Sequence, residues 1–267
     1  MKLDDILVID TETTGKDPSD KNTRVIQLGI VRCSSEHHTK GSQVPNSNYS
    51  YLNPGDSILE LMSPDLIAYH GITPDFIKRH GKNSKEVLKD LDKRINPNTD
   101  IIAGHNLSFD LEVLYNEFKN YDLIADFLTV PTIDTYRVVQ EWYELGDYDK
   151  DNHVLPDFKL GTCFYGILPS SWWDITSRVH DAESDSLMCS KLIEYWVLEN
   201  NIPIEELVEI SAKTFIPKRC PIGDDKGKLW EEVSTSFLSW MVKKEVWNGD
   251  TGLELAILSE LEKRKQI

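Results

Sequence analysis

The stretch ILVIDTETTG, residues 6–15, decides the reading of the chain. Ile6-Leu7-Val8-Ile9 is a short apolar run suited to a buried strand, and Asp10 and Glu12 stand where that strand ends. Two carboxylates at the mouth of a core strand are costly unless something positive sits between them. Strand side chains alternate between faces, so residues two apart share one face, roughly 6–7 Å apart at the backbone. That spacing lets Asp10 and Glu12 bracket one or two divalent cations, and oxygen-only donors favour Mg²⁺ or Mn²⁺ over zinc. A strand end capped by solvated acids fits the same pattern.

Working outward, VIQLGIVRC (25–33) and YSYLNP (49–54) read as second and third strands. The polar stretch SSEHHTKGSQVPNSN between them reads as a hairpin turn or flexible loop, so the three strands form an antiparallel meander. SPD (63–65) and TPD (73–75) each place a capping hydroxyl before a first-turn proline and an acid, which starts a helix. NSKEVLKDLDKRI (83–95) has helical spacing. IIAGHN (101–106) is a fourth strand, and LSFDLEVLYNEF (107–118) opens the next helix. PTIDT (131–135) reads as a short fifth strand running into the helix YRVVQEWYEL. FKLGTCFYGI (158–167) is a short helix, PSSWWDITSRV (169–179) is irregular, and DAESDSLMCSKLIEYWVLEN (181–200) is the longest helix, with Asp181 as its N-cap. A main domain over 1–203 and a small C-terminal module over 204–267 are expected.

Composition bounds the function. The 267 residues suffice for one full-sized core and a small appendage. The N-terminal MKLDD and its four-residue apolar run make neither a signal peptide nor a membrane span. Cys33, Cys163, Cys189 and Cys220 are scattered with no CxxC pair, which reads as reduced thiols in a cytoplasmic protein without a zinc site. A net charge of −16 opposes bulk electrostatic binding of nucleic acid, although a phosphate can still be held locally through metal ions and a few lysines.

Two further clusters carry chemistry. In AGHNLSFD (103–110), Asp110 lies in the first turn of a helix, where the helix dipole favours a carboxylate. In HDAESD (180–185), His180 precedes a helix and Asp185 sits one turn inside it. An imidazole with a pKa near 6.5 suits proton abstraction from water at neutrality. Each cluster alone also fits ordinary helix capping.

Together, the strand acid pair, the helix-start acid and the His-x4-Asp pair resemble the DEDDh exonucleases, the family of the proofreading subunits of bacterial replicative polymerases. AYHGIT (68–73) is similar to the family's His-Gly-Ile-Thr segment, and HNLSFD to its second motif. The sister group would show Tyr four residues before the last Asp, where position 181 holds Asp. The resemblance implies an α/β, RNase H-like fold: a mixed five-stranded sheet, three strands antiparallel, flanked by helices, with a small C-terminal helical extension. It implies hydrolysis at nucleic-acid 3′ ends with two Mg²⁺ ions, for which Mn²⁺ can substitute, held by Asp10, Glu12, Asp110 and Asp185, with His180 as general base. The backbone of Thr13, Thr14 and Gly15 would approach the terminal nucleotide, and Asn106 and Phe109 would either line the same cleft or serve packing and turn-making. Trp172 and Trp173 fit either stacking on a base or burial over the last helix.

Residues 211–230 carry a net charge of +3. Ile222-Gly223, Lys226-Gly227-Lys228 and Phe237-Leu238-Ser239-Trp240 resemble a small module that follows some bacterial exonucleases, with Asp224 where that pattern has Lys. The tail leans toward DNA as the partner. An RNA 3′ exonuclease and, from another class, a non-catalytic polymerase-accessory subunit are the competing readings.

Overall fold

The computed structural model describes residues 1–35, 47–173, 180–247 and 251–265. Most of the expected loop between the second and third strands, and the end of the irregular segment before His180, lie outside the described residues.

The chain builds a mixed sheet and covers both its faces with helices. Strands β1 (Ile6–Thr13), β2 (Val25–Arg32) and β3 (Ser47–Asn53) form the antiparallel meander. Short helices α1 (Asp56–Leu59), α2 (Pro64–His70) and α3 (Pro74–His80) follow. Ser63 and Thr73 accept from the backbone N–H of Leu66 and Phe76 at the starts of α2 and α3. The two-residue strand β4 (Lys82–Asn83) then leads into α4 (Ser84–Arg94). Next come β5 (Ile101–Gly104), α5 (Ser108–Asn120), β6 (Thr132–Asp134) and α6 (Thr135–Trp142). The order is β4-β3-β2-β1-β5-β6, with β5 and β6 parallel to β1. The sheet therefore has six strands, not five: β4 pairs in parallel with the end of β3 and is too short to carry an alternation signal.

A two-residue pair, β7 (Glu144–Leu145) and β8 (Val154–Leu155), precedes α7 (Leu160–Ile167), α8 (Ala182–Leu198) and α9 (Ile204–Ala212). Alternation along β1 divides the core in two. Ile6 and Val8 pack with Met188, Cys189, Leu192 and Trp196 of α8, while Leu7 and Ile9 pack with Val113, Leu114 and Phe118 of α5.

Helix α9 sends Ile204, Leu207 and Ile210 into the first of these cores. A division after residue 203 thus falls ahead of a helix that packs with the main body. A separate small core forms later, from Cys220, Val233, Leu238 and Met241 with Leu253 and Ile257, around α10 (Thr235–Lys244) and α11 (Thr251–Lys265). The four cysteines are buried and free. Among the described residues no helix is long and apolar enough to cross a membrane.

Candidate active site

The C-terminal end of β1 lies between two helix N-termini that approach from opposite faces of the sheet. On one side α8 begins against Gly29, the residue paired with Asp10 across the β1–β2 ladder. A Cβ at Gly29 would lie 2.0 Å from the Ala182 carbonyl oxygen, so glycine is what lets α8 come this close. That approach brings Asp185, one turn into α8, to the strand acids. Carboxylate oxygens of Asp10, Glu12 and Asp185 all lie within 4.8 Å of one another.

On the other side α5 delivers Asp110. It does not join that three-membered group, because its Oδ1 accepts from the backbone N–H of Thr11 (2.9 Å) and from the Thr11 hydroxyl (2.6 Å). Thr11 points to the α5 face between Asp10 and Glu12, and so ties the fourth carboxylate to the strand that carries the first two. The β1–β2 register slips between Glu12 and Thr13, so that Glu12 faces Gln27 while Thr13 faces Val25. Gln27 is fully buried and donates through Nε2 to Asp181, while its Oε1 accepts from the Ala182 N–H. It therefore fixes the start of α8 from the strand side.

The electrostatics record a site built for a positive charge. Burial, reinforced by Asp185, Asp110 and Asp181, pushes the Glu12 carboxyl up to about 8. Burial and the neighbouring Asp110, Asp185 and Glu12 hold Asp10 well above the usual carboxylate range. Burial and Asp181 raise Asp185 to about 7, and burial raises Asp110 to about 7 against the lowering effect of the two Thr11 hydrogen bonds. Carboxylates so raised are mutually repulsive when ionised, and the oxygen-only donor set fits a hard divalent cation.

A cleft of about 410 Å³ opens over these acids. Thr13, Gly15, Phe109 and His180 line it, as do Lys16, Leu66, Tyr69 and His70. Thr14 and Asn106 make other contacts. Thr14 turns its hydroxyl to the Asn22 carbonyl and accepts from the Arg24 N–H, which closes the β1–β2 connection. Asn106 takes a φ of 61° and donates its N–H to Asp134, so it works as turn geometry at the end of β5. The neighbouring Gly15 meets Thr23, whose Oγ1 would be 2.3 Å from a Cβ there, so close packing inside the chain already demands glycine.

His180 holds a φ of 58° just before α8 and stacks face to face on Tyr69, with ring centroids 3.8 Å apart. Burial and the nearby Lys159 charge lower its pKa, which keeps the imidazole neutral near pH 7. Sequence reasoning passed over Tyr69, Gln27 and Thr11. Tyr69 directly precedes the His-Gly of AYHGIT, and that adjacency was the available signal; Gln27 had only its polarity inside an apolar strand. Trp172 packs against the main core, edge-on to Tyr195, while Trp173 is exposed and donates its indole N–H to the Leu168 carbonyl.

A mixed sheet with a carboxylate cluster at the end of its central strand defines an RNase H-like hydrolase. The Exonuclease family (RNase_T) matches residues 7–162, more than half of the chain, and the chain belongs to that family. The matched span holds Asp10, Glu12 and Asp110, and His180 and Asp185 follow it. Among solved structures, the chain is similar to Escherichia coli Exonuclease I in complex with a dT13 oligonucleotide: 21% identity over 73% of this chain and 41% of that one, TM-score 0.55. It is likewise similar to the zinc-bound Exonuclease I–single-stranded DNA complex: 20% identity over 76% and 42%, TM-score 0.56. At this identity the likeness is one of fold, and the chain spans about two fifths of the length of these structures. No curated protein matches the chain.

Proposed function

We propose that this chain is a divalent-metal-dependent 3′–5′ exonuclease that removes nucleotides from DNA, of the exodeoxyribonuclease X type. The convergence of Asp10, Glu12 and Asp185 on one another carries the reading. Likeness of residues 222–240 to the module that follows some bacterial exonucleases favours the particular type, and the net positive charge of 211–230 favours DNA. The RNA alternative requires a 2′-hydroxyl contact, and matched RNA and DNA substrates decide between the two readings.

Asp10, Glu12 and Asp185 would hold Mg²⁺ ions directly, and Asp110 would complete the set from the α5 side. Bound there, the ions supply charge neutralisation at the phosphate and acidify water. The chain's residues do the rest. His180, neutral near pH 7, takes the proton of the attacking water, and its ring plane is set by Tyr69. Thr11 holds Asp110 in place, and Gln27 with Asp181 holds the start of α8. Thr13, Gly15 and Phe109 form the wall against which the terminal nucleotide lies. We assign the small module to the residues after α9, from Lys213, because α9 packs with the main body.

The test is a set of time courses on end-labelled single-stranded DNA, duplex DNA and matched RNA, with Mg²⁺, Mn²⁺ or chelator. Stepwise loss from the 3′ end of DNA, abolished by chelator, is the expected result. Equal or faster loss from RNA would transfer the reading to an RNA exonuclease.

A further inference from the structure

A second cavity lies away from the acids, at the seam between α6 and the segment that follows α9. It has a volume of about 100 Å³, which suits one flat ring and excludes a whole nucleoside. Four aromatic rings wall it: Tyr136, Tyr143, Phe158 and Phe215. Gln140, on the same wall, buries its Oε1 with no hydrogen-bond partner among the described residues. Lys218 is exposed at the rim. Its neighbour Arg219 is held by the Gly227 carbonyl (3.0 Å) and by Glu144 (3.4 Å).

We infer that this cavity is a second nucleotide subsite, taking one base of the strand whose 3′ end lies in the acidic cleft. The inference rests on the nuclease reading above. Two properties point to a base in particular. Every base presents a π-face, and aromatic walls bind it without regard to sequence. The cations stand in a segment, residues 211–230, that carries +3 within a chain of net charge −16, which lessens the repulsion of an anionic strand.

Phe158, on the cavity wall, and its neighbour Lys159 both reach toward elements that border the catalytic cleft. The Phe158 carbonyl accepts from His105 Nε2 (2.8 Å) at the end of β5, while the exposed side chain of Lys159 lies close enough for its charge to act on His180.

The experiment compares binding of fluorescent phosphorothioate-linked oligodeoxynucleotides, a trinucleotide and a dodecanucleotide, to the full chain in Mg²⁺. Free thymidine 5′-monophosphate is the third probe. Phe215→Ala is expected to weaken the dodecanucleotide by about fivefold or more, the loss expected for one stacked base, and the trinucleotide by less than twofold. Lys218→Ser, an exposed change that leaves packing alone, should raise the dodecanucleotide Kd and flatten its salt dependence by about one ion. Equal effects on both oligonucleotides, or none on either, would overturn the subsite. So would a Phe215→Ala effect confined to free thymidine 5′-monophosphate. Unmodified oligonucleotides separate the two failures: if the wild-type chain degrades them while the length dependence is untouched, only the subsite falls; if it neither binds nor degrades them, both readings fall.

Discussion

Asp185 and His180 sit five positions apart and reach the cleft by different means. Asp185 is carried by a regular helix, whereas His180 depends on a left-handed backbone conformation and on the ring of Tyr69. Asp185→Ala removes one of the three converging donors, and His180→Ala removes the proton acceptor. Each is expected to lower turnover more than about a hundredfold with Mg²⁺, within the range that general-base catalysis contributes. Circular dichroism should show both variants folded, because neither side chain packs in a core cluster. Turnover within threefold of wild type in either would remove the mechanism proposed for it. At this scale the sequence was most legible where residue type and chemistry coincide: Asp10, Glu12 and Asp185 were named from spacing and resemblance, and they converge. The Thr14 hydroxyl is spent on the β1–β2 connection and the Asn106 backbone on the turn after β5, contacts that residue type alone does not announce.

Among the secondary-structure elements, the meeting of β1 with α8 and α5 depends on two inconspicuous residues. Gly29→Ala would place a methyl group against the Ala182 carbonyl, where backbone and not a flexible side chain must give way. The expected destabilisation is about 1–3 kcal/mol, with a further loss of activity as α8 and Asp185 move back. Gly161→Ala, in α7 with nothing near its Cβ position, should instead leave melting unchanged or raise it slightly. On the opposite face, Glu117 receives Nε and Nη2 of Arg24 (2.6 and 2.9 Å) and the backbone N–H of Val25 (3.0 Å), which locks α5 to the start of β2. Glu117→Gln would leave the guanidinium buried and uncompensated, at a cost of about 3–5 kcal/mol, readable in urea denaturation. Neither contact could be read from the sequence, since Gly29 looks like a weak point in a strand and Glu117 like one more surface acid of a helix.

For the whole molecule, the acidic cluster couples metal, pH and stability. Glu12 at about 8, and Asp110 and Asp185 at about 7, lie far above the 4.5 and 3.8 usual for such carboxyls. The folded chain without metal therefore keeps protons that the unfolded chain releases, and its stability falls as pH rises from about 4 to 8. Differential scanning calorimetry in chelator should show melting temperature dropping over that window. Mg²⁺ at a hundredfold excess over its Kd should restore about 2.7 kcal/mol, with the gap between the two conditions widening toward pH 8. A pH-independent gap would mean that the cluster is not where the ion binds.

The amino-acid sequence by itself determined the strand and helix order, the capped helix starts at Ser63 and Thr73, and the membership of the acidic set. Each of these is written in periodicity or in residue chemistry, which act locally. Only the tertiary structure decided that Thr11 holds Asp110, that Gln27 and Gly29 admit α8, that Tyr69 orients His180 and that α9 belongs to the main core. Those outcomes depend on which surfaces meet across the sheet, and a contact between residues far apart along the chain leaves no periodic trace in either partner.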